Sequence, residues 1–136
     1  MRRIRRAGAL LLALLTALML LPGPAALAAS GTAAELASVA SGEVGTASGN
    51  KYRTWFYGSN RSCAWCAIFV SWCANQAGVS TAVIPKSAAV GTMRSGVLNG
   101  GGQTVSSPAA GDLVFYFDNG SRTYAHVGIM TGAQTS

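Results

Sequence analysis

Trp65-Cys66-Ala67-Ile68-Phe69-Val70-Ser71-Trp72-Cys73-Ala74-Asn75-Gln76-Ala77 is the stretch on which the fold turns. Cys66, Phe69, Val70, Cys73 and Ala77 recur at helical spacing, and Ile68 and Trp72 widen that stripe until little of the circumference is polar. A helix apolar on most sides belongs in the middle of a core. Gly78 follows as a natural C′ residue, so the stretch predicts a central buried helix over about 65–77.

Working outward toward the N-terminus, Gly45 to Asn60 is polar and rich in turn formers and reads as a loop. It nevertheless holds Tyr52, Trp55, Phe56 and Tyr57, aromatics that suit either a satellite core or the lining of a binding groove. Before it, Thr32-Ala33-Ala34-Glu35 has capping-box spacing, and Leu36, Val39, Ala40 and Val44 follow at helical intervals, predicting a helix over about 33–44. On the other side, residues 79–107 contain Pro85 and Gly100-Gly101-Gly102 and read as a long connection with one short helix near Ser87 to Met93. Beyond the Pro108-Ala109-Ala110-Gly111 turn, Asp112 to Phe117 and Thr123 to Met130 are β-prone runs joined by the hairpin-type connector Asp118-Asn119-Gly120-Ser121. Alternation puts His126, Gly128 and Met130 on one face and Val127 and Ile129 on the other. Helices first and a hairpin afterwards imply an α+β domain.

The ends of the chain alter how its charge is read. Ten Lys+Arg against four Asp+Glu give 136 residues a formal charge of +6, which suggests nucleic acid or an anionic surface. Four of those ten, however, are Arg2, Arg3, Arg5 and Arg6. They precede an apolar run from Ala7 to Leu21, too short to span a bilayer, then Pro22-Gly23-Pro24 and the small residues Ala26-Leu27-Ala28. That plan predicts a signal peptide over residues 1–28, cleaved after Ala28, and a secreted domain over 29–136 without stable membrane association. In that domain six basic residues face four acidic ones, leaving +2, and the nucleic-acid argument lapses.

Three cysteines and one histidine admit several chemistries. Cys63-Ala64-Trp65-Cys66 is a CxxC, the mark of a redox dithiol or a short-loop disulfide, though the βαβ pattern expected around such a motif is missing. Cys66 and Cys73 lie about 10 Å apart along a helix, beyond the roughly 7 Å that a disulfide spans. The same separation argues against a zinc site, and Cys73 reads as a small buried apolar residue. Cys66 itself falls in the first turn of the buried helix, where unpaired N–H groups and the macrodipole stabilise negative charge on sulfur. Any imidazole base must be His126, beside Gly128 on a strand. On these features a Cys66–His126 dyad and a pair of inert core residues both stand.

Three motifs in order sharpen the choice. Trp65-Cys66-Ala67-Ile68-Phe69-Val70-Ser71-Trp72, then Pro108-Ala109-Ala110-Gly111-Asp112-Leu113-Val114-Phe115, then His126-Val127-Gly128-Ile129 resemble the CHAP family, the cysteine- and histidine-dependent amidohydrolases and peptidases of bacterial cell walls. The resemblance spans most of residues 33–132. It implies a papain-like fold with the Cys66 helix packed on an antiparallel sheet carrying His126, Cys66 as nucleophile and His126 as general base. It also implies a turn-forming role for Asp112, peptidoglycan as substrate, and no metal or other cofactor. Tyr52, Trp55 and Tyr57 are the expected groove aromatics, and the protein is expected to be a monomer.

Such families carry a polar residue beyond the histidine to orient the imidazole. The chain reaches Ser136 ten residues after His126, so the resemblance places that residue, and the last strands, beyond it. Asp118 is a weaker substitute because it belongs to the hairpin loop. The expected function is thus a secreted peptidoglycan hydrolase, an N-acetylmuramoyl-L-alanine amidase or an endopeptidase. The alternatives are a catalytically incomplete wall-binding module and a CxxC oxidoreductase.

Overall fold

Thr32 opens α1 (Ala33–Gly42) as its spacing from Glu35 predicts. Its hydroxyl accepts from the Glu35 N–H at 3.2 Å, and the Glu35 carboxylate accepts from the Thr32 N–H at 3.1 Å. The same carboxylate also accepts from the Ser30 N–H and hydroxyl, at 2.9 and 2.8 Å. In this computed structural model the described residues are 29–132. The signal peptide expected over residues 1–28 therefore lies outside them, as do residues 133–136.

The stretch expected as a loop after α1 contains a helix instead, α2 (Asn50–Tyr57). Thr and aromatic residues are mediocre helix formers, and eight residues are too few to be helical alone, so packing decides the matter. Tyr52 is fully buried, stacked on Trp65 at 5.4 Å and edge-on to Phe69 and Trp72 at 5.1 and 5.2 Å. Just before α2, a Cβ at Gly49 would lie 2.5 Å from the Trp65 ring, so only glycine lets the helix start this close to its neighbour. Gly58, at φ 76°, closes α2 in the left-handed conformation and donates to the Thr54 carbonyl at 2.8 Å.

The decisive stretch is helical as predicted, α3 (Cys66–Gln76), with Gly78 at φ 74° just beyond its end. Ala67, Ile68, Val70, Ser71, Cys73 and Ala74 are buried along it. It touches α1, α2, α4 and the second strand, which makes it the centre of the molecule. The one polar side chain among those residues, Ser71, is satisfied: its hydroxyl lies 3.0 Å from the Ala67 carbonyl and 3.1 Å from that of Ser87, and accepts from the Ser87 N–H at 3.0 Å. That last pair fastens the 79–89 connection to the helix.

The short helix expected near Ser87–Met93 starts later and runs further, as α4 (Val90–Asn99). Gly91 and Gly96 concealed it, since each glycine weakens helical propensity by about 1 kcal/mol. Gly96 is there for packing: a Cβ would lie 2.6 Å from the Pro85 ring.

The hairpin forms where the sequence places it, with β1 (Leu113–Asp118) antiparallel to β2 (Thr123–Ile129). The Asp118 carboxylate accepts from the N–H groups of Gly120 and Ser121 and from the Ser121 hydroxyl, at 2.9, 3.3 and 2.7 Å. At the open end, the Gly111 N–H donates to the Met130 carbonyl at 2.8 Å, the Met130 N–H to the Asp112 carbonyl at 2.9 Å, and the Ala109 N–H to the Asp112 carboxylate at 2.7 Å. Asp112 is thus the turn-former expected of it. The core lies between the helices and one face of this hairpin, uniting Leu36 and Ala40, Val70 and Cys73, Met93, and Val127. Four helices on a two-stranded antiparallel sheet make the described residues an α+β fold.

Candidate active site

Cys66 is the first residue of α3, half-buried and packed against the core. Trp65 precedes it at φ −127° and caps the helix without a side-chain hydrogen bond, so no side chain occupies the first N–H groups of α3. These groups and the positive end of the helix dipole are aligned beside a free thiol.

His126 sits on β2, the strand against which α3 packs. The pleat behaves as the alternation predicts. Val127 is buried at 1 % exposure and Ile129 packs against the core, whereas His126 is exposed. Directly across the hairpin is Tyr116, with ring centroids 5.5 Å apart and planes tilted by 41°. Cys66 is a free thiol and His126 lies beside Tyr116; neither side chain takes part in a hydrogen bond among the described residues.

One irregularity adjoins the histidine. Tyr116 pairs with His126 but Phe117 pairs with Tyr124, so Ala125 is an extra residue bulged from β2. Residues two apart in a strand normally share a face. The bulge breaks that rule, sending Tyr124 to the face of Phe115 and Phe117, where the Arg94 guanidinium lies 4.3 Å from its ring, while His126 keeps company with Tyr116. Bulges re-aim side chains next to functional sites, and nothing in the β-propensity of Thr123–Met130 revealed this one.

The expected groove aromatics divide. Tyr52 is corrected: it is a core residue, not a groove lining, because its ring is enclosed by Trp65, Phe69 and Trp72 and its hydroxyl donates to the Glu43 carboxylate at 2.6 Å. Burial, with the Glu43 bond, pushes the phenol up to about 12. Glu43 also pairs with Lys51 at 2.7 Å, and the Lys51 ammonium lies 4.2 Å from the Trp72 ring. Trp55 and Tyr57 are half-buried on α2, each with a cation over its ring: Lys86 at 4.5 Å on Trp55 and Arg61 at 4.9 Å on Tyr57.

The remaining candidates resolve by position. Cys63 is exposed and Cys73 fully buried on α3, and both are free thiols like Cys66. Burial pushes the Cys73 thiol up to about 12, which leaves it unreactive at neutral pH. The Asp118 carboxylate, offered as a substitute orienting group, is held by its three turn hydrogen bonds, first among them the Ser121 hydroxyl, which lower it below its ordinary value. Among the described residues no three His, Cys, Asp or Glu side chains gather as metal ligands. A cavity of about 460 Å³ lies between α4, the 102–108 segment and β1, lined by Val83, Arg94, Leu98, Phe115 and Tyr124 among others and by neither Cys66 nor His126.

Compared with known families, residues 55–136 match the family model of the CHAP domain. The matched stretch includes both Cys66 and His126 and begins within α2. No curated protein and no solved structure matches the chain.

Proposed function

This chain belongs to the CHAP domain family, a family of peptidoglycan-hydrolysing amidases and peptidases, and on that premise we propose that it is a secreted enzyme cleaving a peptidoglycan amide bond with Cys66 as nucleophile and His126 as general base. The observation that carries the proposal is the family match over residues 55–136, which takes in both the free thiol on the first residue of the central helix and His126 on the strand that this helix touches. The arginine-rich leader supports export, and the residual charge of the rest suits an anionic wall.

The chemistry is acyl transfer through a thioester. His126 takes the proton of Cys66, and the sulfur attacks the amide carbonyl carbon, moving the π electrons onto oxygen. The Cys66 backbone N–H, free at the helix start, is aligned to donate to that oxyanion. Collapse expels the amine, which takes its proton from the His126 imidazolium. Water then gives a proton to His126 and attacks the thioester, releasing the carboxylate and returning the thiol. Asp112 shapes the turn that carries β1 and takes no part in these steps.

Cell-wall turbidity assays of the wild type, Cys66→Ala and His126→Ala test this reading. Loss of at least about 100-fold is expected in both variants, the usual reach of nucleophilic and acid–base catalysis. Equal rates in Cys66→Ala would overturn it, and wall sedimentation without hydrolysis in every form would make the chain a binding module. Mass spectrometry of the released fragments identifies the bond: a free lactyl carboxylate on the sugar marks an amidase, a new amino group within the stem peptide an endopeptidase.

A further inference from the structure

Tyr116 has no part in the core. Its strand neighbours Phe115 and Phe117 both turn to the face shared with Tyr124 and make edge contacts with that ring at 6.3 and 5.1 Å. Tyr116 points the other way, 55 % exposed, and its aromatic partner is His126. The two are direct cross-strand partners in the last regular pair before the Ala125 bulge. Cross-strand rings in direct register restrict each other's rotation, and the greater twist at a bulge fixes the direction in which the pair leans.

From this juxtaposition we infer that Tyr116 is a positioning residue for His126, its ring set against the imidazole across the hairpin. The inference rests on the proposed role of His126. Its physical basis is twofold. A ring centroid 5.5 Å away and tilted by 41° blocks part of the imidazole's rotation about its terminal side-chain bond, a broad, soft torsion when nothing adjoins it. A cation within about 6 Å of an aromatic face is also attracted by the ring quadrupole, so the same ring keeps the imidazolium in place after Cys66 has given up its proton. The hydroxyl is not required for either effect, so phenylalanine should serve as well as tyrosine.

The test uses Tyr116→Leu, Tyr116→Phe and His126→Ala. Because Tyr116 is largely solvent-exposed, the leucine variant should fold, which circular dichroism checks. Tyr116→Leu is expected to lower kcat about 5-fold to 10-fold with KM within about twofold, the size of one exposed-to-partly-desolvated cation–π contact. Tyr116→Phe is expected to retain the wild-type kcat. In parallel, the ring protons of the single histidine are read by NMR: the ring-current displacement of their resonances is expected in wild type and Tyr116→Phe and lost in Tyr116→Leu. An unchanged kcat or unchanged His126 resonances in Tyr116→Leu would overturn the inference. So would a raised KM at constant kcat, which would make Tyr116 a substrate contact. If His126→Ala is inactive while Tyr116→Leu is fully active, only this inference fails. If His126→Ala hydrolyses like the wild type, the reading of the site fails and takes the inference with it.

Discussion

Three thiols in one small domain show how much position decides at the scale of a residue. Cys66 and Cys73 lie on the same helix, yet one opens it at the surface of the core and the other is sealed inside, its thiol raised by burial to about 12. Treating the folded protein with iodoacetamide near pH 8 should therefore alkylate Cys63 and Cys66 and leave Cys73 unmodified, as read by peptide mass spectrometry; modification of Cys73 at a comparable rate would contradict its burial. Cys66 and His126 were legible as candidates because residue type and a helix start point to them. The misplacement of Tyr52 was equally physical. An aromatic in a polar stretch gives no sign of whether it faces a groove or a neighbour, and only Trp65, Phe69 and Trp72 closing around it made it core.

Among the elements, those with a strong local signal were legible and those formed by packing were not. The capping box of α1, the apolar circumference of α3 and the Asp118 turn state their structure within a few residues. By contrast, α2 is held by Tyr52 against α3, and α4 carries two glycines, one of which accommodates Pro85. The cap of α1 also carries a pH dependence. Hydrogen bonds from the Ser30 and Thr32 N–H groups, and from their hydroxyls, lower Glu35 from 4.5 to about 2. A carboxylate with a depressed folded value contributes stability that is fully present above its unfolded value and is lost as pH falls through the folded one. Stability should thus decline between about pH 4.5 and 2, and Glu35→Gln should flatten that part of the pH–Tm curve. An identical slope in the variant would remove Glu35 from the account.

Over the whole molecule, the sequence order of elements gave the α+β class, whereas the contact between the first helix and the last hairpin was invisible, because residues nearly 80 positions apart leave no shared pattern. That contact runs through Gly111. It adopts φ 90°, and a Cβ there would lie 2.3 Å from the Ala33 carbonyl oxygen at the start of α1. Gly111→Ala combines left-handed strain with a collision against backbone that cannot rotate away, and is expected to destabilise by roughly 2–4 kcal/mol. For a domain near 100 residues that lowers Tm by roughly 10 °C or more in a thermal melt; a shift below about 2 °C would show that α1 and the hairpin are not joined there.

The bulge at Ala125 bears on how this hairpin can change length. Inserting or deleting one residue in a strand ordinarily inverts every side chain beyond it and is lethal to the fold. Here the chain already carries the spare residue, and Ala125 pairs with nothing across the hairpin. Losing it would bring Tyr124 next to His126 in regular alternation, each still on its present face. Position 125 is therefore a place in β2 where a single-codon deletion keeps the parity of the sheet, leaving its inside and outside as they are.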